Sequence, residues 1–125
     1  MNTGNKVTYP LDPAAAWTTD GETAWVRVKQ GANGISLADE GDRAVGHLES
    51  GIAPDDLNGR SVACVYLNKA GATHFDIAAE TLNDGDGFDG ADDGKVKKQA
   101  DLSLREGQVF SGGAAGSEIS VRYGF

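Results

Sequence analysis

Apolar and polar residues alternate in several short stretches of the chain, and this period of two predicts half-buried β-strands. In TAWVRVKQ, Val26 and Val28 alternate with bulky or charged residues. RAVGHLESG follows the same pattern and predicts a further strand. The last stretch, SEISVRYGF, places three large side chains on one strand face: Ile119, Val121 and Tyr123.

The remaining apolar stretches complete an all-β pattern. SVACVYLN is apolar on both faces, which predicts a central strand, and NKAG joins it to ATHFDIAAE in an expected hairpin. KVKKQADLSLREG alternates weakly and predicts a strand around residues 100–104. No long stretch has the apolar stripe of a helix, and no internal repeat is evident. With its glycine-rich turns, the chain is predicted to be a small β-sandwich or β-barrel.

The N-terminal residues differ from this pattern. Residues 1–22 lack periodicity and carry two of the three prolines. We therefore predict an extended N-terminal arm at 1–22, followed by a β domain at 23–125. Tyr9 and Trp17 are large aromatic residues in this irregular segment, so we expect them to dock on their own domain or on a partner.

Composition and charge limit the classes of function that the chain can have. The chain has 125 residues, 18 glycines and a net charge of −8, which fits one domain with a surface that repels nucleic acid and anionic membranes. No apolar run has the roughly 18 residues of a membrane helix, and the first residues do not resemble a signal peptide. The single cysteine, Cys64, is expected to be a buried strand residue of a protein assembled in a reducing compartment.

Residues 83–94, NDGDGFDGADDG, raise the question of a calcium loop. An EF-hand register that starts at Asp84 places Asp89 where glycine is required, and one that starts at Asp89 ends on Ala100 instead of glutamate. We therefore predict an acidic loop at the tip of a hairpin, and no cofactor. Four residues remain candidate oxygen ligands for a hard cation: Asp84, Asp86, Asp89 and Asp93.

Two histidines form a second candidate site. His47 with Glu49, and His74 with Asp76, each place an imidazole and a carboxylate on one face of a strand. If these strands were neighbours, the four side chains could bind a divalent metal, although surface histidines beside acids are common. The sequence contains no P-loop, G-x-S-x-G or H-E-x-x-H motif, so we expect a protein that is not an enzyme.

The segment VRVKQGANGISLADEGDRAVGHLESGIAP resembles the head decoration, or cement, proteins of tailed bacteriophages. The similarity covers residues 7–80 and consists of an irregular arm followed by a Gly/Ala-rich β domain. It implies a homotrimer on the outer surface of the virion that clamps subunits of the major capsid protein, after assembly in the host cytoplasm. The capsid contacts would then lie in the arm: Val7, Tyr9, Pro10, Leu11 and Trp17.

A second hypothesis belongs to another class of function. The chain would be a calcium- or carbohydrate-binding β module that uses the acidic loop at 83–94. A third is a small enzyme that uses the two histidine–carboxylate pairs.

Overall fold

The computed structural model describes residues 6–12, 14–15, 25–48, 62–67, 71 and 73–124; for Lys6, Thr8 and residues 62–67 it describes the backbone alone. The strands in the first half are β1 (Lys6–Pro10), β2 (Arg27–Gly31), β3 (Gly34–Leu37), β4 (Gly46–Leu48) and β5 (Val62–Leu67). Those in the second half are β6 (Thr73–Ile77), β7 (Gly87–Gly90), β8 (Val96–Lys98), β9 (Gly107–Ser111) and β10 (Glu118–Tyr123). A 3-10 turn at Asp92–Gly94 precedes β8.

The strands form two five-stranded sheets in which all the paired strands are antiparallel. The first sheet has the order β1-β5-β4-β2-β3, and the second has the order β6-β10-β9-β7-β8. The all-β prediction is confirmed. Across the described ranges, no helix is long and apolar enough to cross a membrane.

The two sheets have the same topology. Counted from the first strand of each half, the order is 1-5-4-2-3 in both. A parallel bridge between the residue after the first strand and the third strand also occurs in both: Leu11 with Ile35, and Ala78 with Val96. We call β1–β5 repeat 1 and β6–β10 repeat 2. The expectation that the chain contains no internal repeat is therefore wrong.

Hydrogen bonds outside the strand ladders confirm the correspondence residue by residue. The strand registers make Val28 equivalent to Phe88, and Ile35 equivalent to Val96. Two bonds of repeat 1 have counterparts at these positions: Asp12 N to Ile35 O (3.0 Å) matches Ala79 N to Val96 O (2.7 Å), and Val45 N to Val28 O (2.8 Å) matches Glu106 N to Phe88 O (2.7 Å). The likeness is thus one of register as well as strand order.

An unusual backbone conformation also recurs. Trp25 has φ 66° and donates its N–H to Leu48 O, while Gly85 has φ 88° and donates to Val109 O. The left-handed region is unfavourable for a residue with a Cβ. At this equivalent position repeat 1 has a tryptophan, whereas repeat 2 has a glycine.

Each repeat has its own apolar core. The core of repeat 1 also includes one residue from the end of β6, and its members are Leu11, Val26, Val28, Ile35, Leu37, Leu48 and Ile77. The core of repeat 2 consists of Ala78, Leu82, Phe88, Val96, Val109, Ile119, Val121 and Tyr123. The three large side chains predicted to share one face of the last strand are all buried.

Three element predictions have definite outcomes. β5 lies between β1 and β4, so its central position is confirmed. The expected hairpin between β5 and β6 is wrong, because these strands belong to different repeats. The strand expected around residues 100–104 is also wrong, since this segment forms a turn between β8 and β9.

Candidate functional site

Polar side chains are buried where the two repeats meet. We call this group the junction cluster. Repeat 1 contributes two residues and repeat 2 contributes four: Arg27 and His47, then His74, Asp76, Glu106 and Tyr123. A buried polar group is costly unless it is hydrogen-bonded, so the contacts within this cluster decide how firmly the repeats are joined.

Two hydrogen bonds join His47 on β4 and Tyr123 on β10 to Asp76 on β6. His47 Nε2 lies 2.5 Å from Asp76 Oδ1, and the Tyr123 hydroxyl donates to Asp76 Oδ2 at 3.0 Å. Because a carboxylate only accepts, His47 Nε2 carries the hydrogen of the first contact. The Tyr123 oxygen lies 3.0 Å from the same nitrogen. Burial first, and then Asp76, raise the pKa of Tyr123 well above its ordinary value, which keeps the hydroxyl a donor.

The second histidine stacks on the first. The ring centroids of His47 and His74 are 4.6 Å apart, and the planes differ by 16°. Both side chains are fully buried. Neither nitrogen of His74 has a hydrogen-bond partner among the described residues. Burial first, and then His47, lower the pKa of His74 to about 4, so this imidazole is neutral at pH 7.

This arrangement bears on the suggested metal site. His47, His74 and Asp76 do come together, whereas Glu49 lies outside the described residues. Stacked rings hold their nitrogen lone pairs in two nearly parallel planes, so the lone pairs do not converge on one ion. Over the described ranges, no group of three or more His, Cys, Asp or Glu residues is placed to hold a metal.

An ion pair forms the other half of the junction cluster. Arg27 Nη2 donates to both carboxylate oxygens of Glu106, at 2.7 and 2.6 Å. Burial lowers the pKa of Arg27, but Tyr123, Glu106 and Asp76 raise it more, so the net pKa lies above its ordinary value. Burial raises the pKa of Glu106, and Arg27 opposes that shift. The guanidinium lies against Gly90, where a Cβ would overlap Arg27 Nη1.

The acidic stretch at 83–94 is not one loop. Phe88 is fully buried in the core of repeat 2, and it holds Gly87–Gly90 in the sheet as β7. The segment that follows docks on repeat 1. Gly94 N donates to Ala38 O at 2.7 Å, and Asp92 Oδ1 accepts from Glu40 N at 3.0 Å. Lys97 also pairs with Glu40. These contacts give the stretch a role in joining the repeats.

Three of the four candidate cation ligands accept hydrogen bonds from separate backbone N–H groups. Asp84 Oδ1 accepts from Gly112 N at 2.8 Å, and Asp86 Oδ2 accepts from Asn83 N at 2.9 Å. Asp89 lies on β7 and accepts from Gly90 N, whereas Asp93 belongs to the 3-10 turn. The structure does not bring the four carboxylates together. Asp84 and Asp86 precede β7, whereas Asp93 follows it.

The residues of the predicted arm belong to repeat 1 as far as the structure describes them. Residues 6–10 form β1 and pair with β5, and Leu11 is buried in the core of repeat 1. Tyr9 packs against that core, while Val7 and Pro10 are exposed. Trp17 lies outside the described residues. Among the proposed capsid contacts that the structure describes, Val7 and Pro10 are thus the exposed ones.

A second exposed apolar feature lies in repeat 2. Leu102 and Leu104 are 69% and 58% exposed in the turn between β8 and β9. Asp101 holds this turn through four hydrogen bonds: its Oδ1 accepts from Ser103 N and Oγ, and its carbonyl accepts from Leu104 N and Arg105 N. A turn fixed in this way loses little further entropy when a partner covers its leucines. We call residues 101–104 the leucine turn.

Sequence reasoning missed three members of the junction cluster. Arg27 was expected on the polar face of a half-buried strand, but its side chain is fully buried because Gly90 and Glu106 of repeat 2 lie against it. Glu106 gave no separate signal, and Tyr123 was predicted only as one of three large side chains on one face of the last strand. The glycines of DGFDGADDG could have indicated a close approach of another part of the chain. Gly90 and Gly94 both lie where a Cβ would meet Arg27.

Comparison with known proteins identifies a fold relative. No family model and no curated protein matches the chain. Among solved structures, the chain is similar to the N base of the head fiber gp8.5 of bacteriophage phi29, with a TM-score of 0.57 and 17% sequence identity. The match covers 95% of this chain and 94% of that one. At this identity the likeness concerns the fold, and it includes both repeats.

Proposed function

We propose that this chain is a structural protein of a tailed-phage head that binds the outer surface of the assembled shell. The observation that carries the proposal is the match over nearly the full length of both chains to a phage head fiber base. The resemblance of residues 7–80 to head decoration proteins supports the same role. The chain would act by binding, without a catalytic step.

The finer proposal is a decoration, or cement, function. A protein that binds the assembled shell but not its separated subunits stabilises the shell by mass action, by about 2.7 kcal/mol per site when its free concentration is 100 times Kd. We propose the major capsid protein as the partner and a homotrimer as the active form. Trimers would place three equivalent contact surfaces on neighbouring capsid subunits.

The leucine turn carries the most exposed large apolar side chains of the described residues. Exposed apolar side chains at fixed positions are typical anchors of protein interfaces, because covering them removes apolar area from water. Leu102 and Leu104 are more exposed than Phe110 on β9, at 48%, and Val7 on β1, at 38%, and their turn is held by hydrogen bonds. We therefore assign the main contact to the leucine turn and a lesser one to β1.

Binding to heads tests this assignment. Heads of the encoding phage, assembled without the chain, are mixed with the purified protein and sedimented, and bound copies are counted. We expect saturable binding that the double variant Leu102→Ser/Leu104→Ser weakens at least tenfold. Val7→Ser, a single apolar-to-serine change on β1, should weaken binding by less than threefold. Absence of wild-type binding would contradict the proposal, and the reverse order of the variants would contradict the assignment.

The alternative of a calcium-binding module has no support from the geometry. The described residues bring no three of its candidate ligands together, and Asp84, Asp86 and Asp89 accept hydrogen bonds from separate backbone N–H groups. Light scattering with and without calcium separates the two functions, since the decoration hypothesis expects the same mass in both conditions.

A further inference from the structure

We propose that the junction cluster is an acid-sensitive switch, in which protonation of His74 loosens the contact between the two repeats while each repeat keeps its own core. This inference does not depend on head binding. It rests on where the cluster lies, what the other repeat has at the same positions, and which charges surround the second imidazole.

The cluster lies between two separately filled cores. His47 belongs to repeat 1, whereas His74, Asp76 and Tyr123 belong to repeat 2. The contacts of His47 with all three cross from one repeat to the other. A change in the charge of this cluster therefore acts first on the junction.

Equivalent positions show that the five-stranded topology does not require these residues. The strand registers make His74 equivalent to Val7, and Asp76 equivalent to Tyr9. His47 is equivalent to Gln108 by the same reasoning. Each repeat thus forms the same sheet with a different residue at the matching position. The titratable groups are particular to the junction.

The surroundings of His74 disfavour a positive charge on its ring. Its ring lies on that of His47, whose Nε2–H is directed at Asp76. The described charged or titratable groups that also face this region are Arg27, Glu106 and Tyr123. Asp76 favours the imidazolium form of His74, but its oxygens already accept from two other groups. Neither ring nitrogen has a described partner that could stabilise an added proton.

The pH window follows from the direction of the shift. The pKa of His74 falls from 6.5 to about 4 in the closed junction, because burial and His47 disfavour the charged form. An opened junction takes up the proton more readily, so the closed state is fully favoured above pH 6.5 and is progressively lost as the pH falls toward 4. Glu106 acts in the opposite sense, since burial raises its pKa and the closed state then gains from its protonation in acid.

Residue-resolved amide hydrogen exchange of the full chain measures this opening. The Gly94 amide reports on the junction, because it donates to Ala38 O across the two repeats. The Leu48 and Val109 amides report on the interior of repeat 1 and repeat 2. After correction for intrinsic exchange, a shift from 6.5 to about 4 predicts that the opening constant at Gly94 rises roughly 50-fold between pH 7 and pH 4.5.

The variant His74→Val places at this position the residue that repeat 1 has at position 7. It should reduce the pH dependence of Gly94 opening to less than threefold. Glu80→Gln removes an exposed carboxylate outside both the junction cluster and the leucine turn, and it should leave the 50-fold rise unchanged. An equal rise in His74→Val, or no rise in the wild type, overturns the proposal. A parallel rise at Leu48 and Val109 overturns it too, because the repeats would then unfold together.

Direct titration of His74 keeps the proposal testable if His74→Val does not fold. The ring proton resonances of the wild type should show a midpoint near 4 for one of the two histidines of the chain. If both histidines titrate at or above 6.5, the proposal is overturned.

Discussion

Repeat 1 and repeat 2 place different side chains at equivalent positions of the same topology. Where repeat 1 has Val28 in the core, repeat 2 has Phe88, and both are fully buried. Where repeat 1 has Arg27, repeat 2 has Gly87. Strand order and register are thus the same in the two repeats, although the core side chains and the junction residues differ.

The largest loss of stability should come from truncating Phe88, the larger of the two equivalent core side chains. The Phe88 ring is fully buried and makes an edge contact with Tyr123, with ring centroids 5.1 Å apart. We expect Phe88→Ala to reduce the free energy of unfolding by about 3–5 kcal/mol, through lost burial and the cavity left behind. Urea denaturation followed by far-ultraviolet circular dichroism, which reports on the strands of both repeats, measures this loss.

The same change at the equivalent position provides the control. Val28→Ala removes fewer buried atoms, so we expect a loss of about 2 kcal/mol. Hydrogen exchange should localise each loss, with Phe88→Ala exposing amides of repeat 2 more than those of repeat 1. Equal exposure of both repeats in each variant would show that the two cores behave as one.

A smaller loss of stability is expected from alanine substitution at two glycines of repeat 2 that have left-handed backbone conformations. Gly94 has φ 75°, and a Cβ there would lie 2.8 Å from Arg27 O and 2.9 Å from Val26 Cβ. Gly85 has φ 88°, but a Cβ there meets nothing within 4 Å. We expect Gly94→Ala to cost about 3 kcal/mol, from backbone strain and overlap with repeat 1, and Gly85→Ala to cost about 1 kcal/mol from strain alone.

Thermal unfolding of the two glycine variants checks this prediction. The difference between them isolates the close approach of the repeats, because both introduce the same side chain in the same backbone region. Losses of equal size would mean that the Gly94 contact adds nothing to the junction.

The sequence predicted those strands whose apolar residues follow each other closely. Residues 62–67 form a central strand because apolar residues fill both faces, and Ile119 and Val121 are buried because they alternate with polar neighbours. β7 was not predictable in this way, since its one large apolar residue, Phe88, stands among glycines and aspartates. A strand of four residues with one apolar side chain has no visible period.

The repeat was hidden for a related reason. Equivalent positions share few residue types, as His47 and Gln108 illustrate, and the segments between strands differ in length. Backbone pairing preserves the topology when side chains change, but a search for similar residues detects only the side chains. The junction cluster was missed in part because its contacts depend on how the repeats pack.

Thermal stability of the head itself provides the most direct test of the proposed function. Heads assembled without the chain are heated alone or with purified protein at a concentration that saturates the binding sites. The temperature at which the heads release DNA is recorded. The decoration proposal predicts a higher release temperature with the protein, and a smaller increase with Leu102→Ser/Leu104→Ser at the same concentration. An unchanged release temperature at full occupancy, or equally tight binding to unassembled capsid subunits, would contradict the proposal.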